Sequence, residues 1–192
     1  MAARSARTTR KPPARKAVRR RPAARRKPAP RPKRVEAVPA RYGTATPHLI
    51  VSPCAQALEY YRKAFGATVL STMPGPGGLL MHAEMRIGDS IVMLADEQPP
   101  MGGQPTPRKT PRSAGATTGG VMLYVPDTDA VYARAVAAGG TGSMPPADQF
   151  WGDRYAQVED PFGHVWALAT HLRDVSEEEM RAAMASMGPP PG

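Results

Sequence analysis

Apolar positions along the chain form two successive runs of the same design. His48-Leu49-Ile50-Val51 has the character of a short strand, and in Ala55–Phe65 the residues Leu58, Tyr61 and Phe65 share one helical face, with Gly66 placed to stop the helix. Three alternating segments follow, Thr68–Thr72, Leu80–Ile87 and Ile91–Ala95, separated by the turns Pro74-Gly75-Pro76-Gly77-Gly78 and Gly88-Asp89. A long polar, Gly/Pro-rich connection comes next. The order then recurs: a strand at Val121–Val125, a helix at Thr128–Ala138 with Asp127 as N-cap and Gly139-Gly140 as its stop, and strands near Thr141–Met144, Arg154–Glu159 and Val165–Thr170. A shift of about 74 positions superposes Val51 on Val125, Gly66 on Gly140 and Ile91–Leu94 on Val165–Leu168.

These patterns predict an α+β fold of two tandem βαβββ modules that form cupped mixed sheets. The domain spans 42–175, with module one at 44–97, a linker at 98–119 and module two at 120–172; residues 176–192 are a C-terminal helix and a Pro/Gly end. Ser176 and Glu179 have capping-box spacing. Met180, Met184 and Met187 at i, i+4, i+7 predict a packing face, on this domain or on a second subunit.

Charge divides the chain unequally. Fifteen Lys/Arg and one Glu put +14 on residues 1–40, and the whole chain carries +10, which leaves −4 on residues 41–192. The Arg/Lys/Pro/Ala-rich stretch 1–41 has too little apolar surface to offset its ordering entropy, so its composition predicts a disordered basic tail. The runs Arg19-Arg20-Arg21 and Arg25-Arg26-Lys27 suit weak, non-specific binding to nucleic acid through phosphate neutralisation; no interleaved aromatic supports base stacking. One cysteine, Cys54, excludes an intrachain disulfide and a cysteine-rich zinc site. Its place at a helix start favours a thiolate. No apolar run approaches the length of a membrane span, and the basic N-terminus has no apolar stretch behind it, so a cytoplasmic protein with no membrane partner is expected.

The tandem modules resemble the vicinal-oxygen-chelate superfamily of glyoxalases, bleomycin-resistance proteins and dioxygenases. Ala57-Leu58-Glu59-Tyr60-Tyr61 with Phe65-Gly66-Ala67 is similar to that family's first helix and its exit, and Glu159-Asp160-Pro161-Phe162-Gly163-His164 to its turn into the last strand. Met81–Asp89 and Asp148–Tyr155 resemble the PhnB-like branch. The resemblance implies a homodimer and a small-molecule ligand held in a cavity lined by the sheets. It also implies that the family's metal-ligand positions fall at Thr46, Met93, Gly120 and Ala167, where no side chain suits a hard or borderline cation. No metal site and no cofactor are therefore expected.

Strand alternation puts His48 beside Thr46 and gives His82, Glu84 and Arg86 one face of their strand, with Met81, Ala83, Met85 and Ile87 on the other. The ligand cavity is accordingly assigned Thr46, His48, Met93, Met122, Tyr124, Trp151 and Ala167. Trp151, with Phe150 and Tyr155, is either a lid over a planar ligand or a structural plug. His82, Glu84 and Arg86 are candidates for acid–base catalysis, against the plainer alternative of a solvated Glu84–Arg86 ion pair. A divalent metal relocated to His48, His82 and Glu84 is the remaining alternative. Two functions follow: a metal-independent binding protein, or a lyase, isomerase or related enzyme. Trp166 should be core, and His164 and His171 structural or solvated.

Overall fold

The computed structural model describes residues 37–98 and 108–186; the tail runs at 19–21 and 25–27, and Met187, lie outside them. The chain order is β1 (His48–Ile50), α1 (Cys54–Phe65), β2 (Thr68–Pro74), β3 (Leu80–Ile87), β4 (Ser90–Ala95), α2 (Pro111–Ala114), β5 (Gly120–Tyr124), α3 (Thr128–Ala137), β6 (Thr141–Asp148), β7 (Asp153–Glu159), β8 (Val165–His171) and α4 (Glu177–Ser186). The strands form two four-stranded sheets, β1-β4-β3-β2 and β5-β8-β7-β6. In each, the first strand pairs parallel to the last and the remaining pairs are antiparallel, which gives two mixed sheets of identical topology.

Local chemistry fixes the helix ends. Gly66 closes α1 in the left-handed region at φ 68°, a conformation glycine adopts without a Cβ clash. The Asp127 side chain accepts from Ala130 N at the start of α3. At α4 the capping box is formed in both directions, Glu179 N to Ser176 Oγ at 3.2 Å and Ser176 N to Glu179 Oε2 at 2.9 Å. Strands β2 and β6 run further than alternation predicts, through Pro74 and through Pro145-Pro146. Both are edge strands with register shifts, and there a missing N–H breaks no ladder bond that the sheet needs.

One continuous core serves both modules. Ala83, Met85 and Ile87 of β3 and Val92 and Leu94 of β4 turn toward α1, while Ala156, Val158, Trp166 and Leu168 fill the corresponding face of the second sheet. Helices α1 and α3 pack on each other. Tyr61 and Phe65 of α1 reach Trp166 with ring centroids 5.1 and 4.6 Å apart. The faces of both sheets away from the helices are left open, and on sheet two Met122 and Tyr124 are 46% and 65% exposed. Of the methionine stripe on α4, Met180 is half-buried and Met184 is 60% exposed, and no residue of the helix is fully buried. No helix among the described residues is long and apolar enough to cross a membrane.

Candidate functional site

Register puts equivalent rows of side chains at the centre of the two open faces. On sheet one, Met93 lies between His48 of β1 and Glu84 of β3. On sheet two, Ala167 lies between Met122 of β5 and Gln157 of β7. The alternation that makes Ala156 and Val158 core also turns Asp153, Tyr155 and Gln157 to the open face, where Tyr155 and Gln157 line a cavity; neither Gln157 nor Asp153 stood out in the sequence as a candidate.

The residue types at the four ligand positions do not fit a metal. Thr46 lies ahead of β1 and its hydroxyl is turned back to Gly43 O at 3.4 Å. Met93 offers a soft thioether and Ala167 a methyl group. At Gly120 a Cβ would stand 2.9 Å from the Val165 carbonyl oxygen, so the space a ligating side chain would need is taken by backbone. Among the described residues no group of three or more His, Cys, Asp or Glu is disposed to hold a metal ion. His48 and His82 are neighbours, with ring centroids 6.2 Å apart.

The His82, Glu84 and Arg86 row comes together only in part. His82 Nε2 lies 3.3 Å from Glu84 Oε1, but Arg86 is exposed and has no ion-pair partner among the described residues. The expected Glu84–Arg86 pair is therefore replaced. Glu84 is buried, and its Oε1 accepts from Tyr42 at 2.5 Å and from Arg41 Nη2 at 3.0 Å. The Tyr42 hydroxyl, followed by His82 and Arg41, holds the Glu84 carboxyl below the usual carboxylate range against the opposing effect of burial. Arg41, at the last position assigned to the tail, is thus hydrogen-bonded into sheet one. An Arg-Tyr pair next to a basic run carries no periodic signal, which is why sequence did not reveal it.

A second cluster, also missed, closes the far end of sheet two. Asp153 is buried, and its carboxylate takes the Tyr124 hydroxyl at 3.2 Å and His171 Nδ1 at 2.8 Å; His171 Nε2 meets Asp174 at 3.1 Å. The hydrogen bonds that Asp153 and then Asp174 accept from the imidazole push the His171 pKa up. Trp151 is half-buried and stands edge-on to Phe150 and Tyr155, with centroids 5.1 and 5.6 Å away. His164 is structural, its Nε2 2.9 Å from Ile50 O, and Trp166 is fully buried. Cys54 is not a thiolate: burial, with the Asp96 carboxylate second, pushes its pKa up to about 12.

The assigned cavity residues do not line one hollow. A groove of about 810 Å³ between β1 and β5 is lined by His48, Lys109, Gly120, Met122 and His164 among others. A cavity of about 400 Å³ on the open face of sheet two takes Met122, Tyr155, Gln157 and Ala167, with no residue of sheet one. Thr46 and Met122 border a third, of about 390 Å³.

This architecture is that of a known superfamily. The family model for the Glyoxalase/Bleomycin resistance protein/Dioxygenase superfamily matches residues 42–168, and the chain belongs to that superfamily. It is 46% identical over 143 residues to the uncharacterized protein Rv0887c of Mycobacterium tuberculosis, a match covering 74% of this chain and 83% of that protein. Among solved structures it is similar to TioX from Micromonospora sp. ML1, at TM-score 0.54 and 28% identity over 68% of this chain and all (100%) of that one. The PhnB protein of Bacillus cereus shares the fold at TM-score 0.50 and 16% identity, over 67% of this chain and 99% of that one.

Proposed function

We propose that this protein binds a small organic ligand on the open faces of its sheets without the metal ion that other members of its superfamily use. The carrying observation is the pair of equivalent positions in each module, Thr46 and Met93, Gly120 and Ala167, where no side chain can grip a hard cation. The net −4 on residues 41–192 favours a cationic ligand. A complete pocket is proposed to form in a homodimer, with a second copy covering the faces on which Met122 and Tyr124 stand exposed. The basic stretch 1–41 adds weak, sequence-independent attraction to nucleic acid.

Calorimetric titration of chelator-treated protein with a panel of small organic cations tests this reading, read alongside the emission of Trp151 and Trp166. Stoichiometric binding unaffected by added divalent metal is the expected result. Binding that appears only with one equivalent of metal contradicts it. Sedimentation should show a dimer at micromolar concentration.

A second reading, an enzyme of the superfamily, rests on the His82–Glu84 contact at 3.3 Å. It requires that turnover be lost in the His82→Ala, Glu84→Gln double variant.

A further inference from the structure

We infer that Glu84 is a recognition carboxylate for a planar cation, an amidinium or guanidinium group, and that Arg41 occupies the place of that cation in the free chain. This rests on the ligand-binding reading above and names the chemical class of the ligand for sheet one.

Glu84 lies on the open face of its sheet, beside Met93, yet is only 3% exposed. A carboxylate held there needs partners for both oxygens. Its two oxygens are served unequally. Oε1 takes Tyr42, Arg41 and His82, whereas Oε2 is buried with no hydrogen-bond partner. The Arg41 guanidinium meets Glu84 through one nitrogen, to Oε1, and so leaves the second oxygen unserved. A guanidinium or amidinium that approached fork to fork would satisfy both.

Arg41 is also easily displaced. Its side chain is 58% exposed and it sits on a segment outside any helix or strand, so solvent reaches the guanidinium although Glu84 itself is buried. Its guanidinium carbon stands 4.6 Å from the centroid of the Tyr42 ring. With Arg41 gone, that ring and the Glu84 carboxylate remain as a platform and an anchor for a flat cation. The chain's own residue thus indicates the shape and charge of the ligand it stands in for.

The test uses the full chain carrying Arg41→Ala, titrated calorimetrically with benzamidine and with benzamide, its uncharged isostere. Benzamidine should bind the variant about tenfold tighter than the unsubstituted chain, the factor set by an Arg41 contact formed roughly nine-tenths of the time. Benzamide should not bind, and adding Glu84→Gln should abolish benzamidine binding. Equal affinity of the variant and the unsubstituted chain for benzamidine, or equal binding of benzamide and benzamidine to the variant, overturns the inference. If the Glu84→Gln protein does not fold, the benzamidine–benzamide comparison on Arg41→Ala decides alone. A panel cation that binds while benzamidine does not removes this inference and leaves the binding-protein reading standing; binding by neither removes both.

Discussion

The Tyr61 hydroxyl in α1 donates to Asp160 Oδ2 at 2.7 Å across ninety-nine residues of sequence, and so ties the first module's helix to the turn that enters the second module's last strand. The same carboxylate takes Trp166 Nε1 at 2.9 Å and the backbone N–H groups of Phe162 and His164, both at 2.9 Å. Asp160 is 1% exposed, so each of these donors loses its only substitute for water if the carboxylate is removed.

Asp160→Ala is therefore expected to cost about 3–5 kcal/mol, as breaking a buried, fully bonded charge does. Tyr61→Phe removes one of the four bonds and should cost about 1.5–3 kcal/mol. Urea unfolding followed by Trp166 emission measures both. A loss below about 1 kcal/mol for Asp160→Ala would show that the turn holds its shape without the carboxylate.

His171 makes the end of sheet two sensitive to pH. Its folded pKa is raised above the unfolded value by Asp153 and Asp174. The clasp therefore contributes fully below the ordinary imidazole pKa of about 6.5 and is lost as pH rises through the raised folded value. Thermal midpoints measured from pH 5 to 9 should fall above neutrality in the unsubstituted protein relative to His171→Ala. Parallel curves for the two proteins would remove His171 from the account.

Cys54 should resist modification. Burial and the Asp96 carboxylate push its pKa up to about 12, so almost no thiolate exists near neutral pH. A thiol-exchange reagent should label native protein slowly and unfolded protein fast. Rapid labelling under native conditions would mean that the start of α1 opens locally.

Removal of residues 1–36 takes away fourteen net positive charges, since that stretch contains fifteen Lys/Arg and one Glu. Retention on immobilised DNA at low salt should drop accordingly. For the full chain the logarithm of affinity should fall with the logarithm of salt by about 0.9 per phosphate neutralised. Equal retention of the two proteins at low salt would show that the tail makes no tether.

Periodicity made most of the fold legible. Strand β3 begins and ends where alternation places it, and the caps at Asp127, Gly66 and Ser176 are formed by the residues that sequence nominated. The four-residue helix α2 and the extension of β6 through two prolines were not legible, because the first is too short for a 3.6-residue period and the second breaks a rule that relaxes only at a sheet edge. The candidate site was less accessible. Alternation correctly grouped His82 with Glu84, but an ion pair chosen from neighbours in sequence named Arg86 where the fold supplies Arg41 and Tyr42. Partners that arrive from a segment with no regular structure leave no periodic trace. Asp153 was hidden for a similar reason, since its burial depends on Tyr124 and His171 meeting at a strand end.

The crowding of β5 against β8 at Gly120 limits the routes by which this chain could take up an ion. Exchanging residues at 46, 93 and 167 for histidine or glutamate leaves the fourth corner blocked by a peptide oxygen. The strand would have to shift outward before a side chain could fit there, so the change requires coordinated remodelling of a sheet edge and no single substitution accomplishes it.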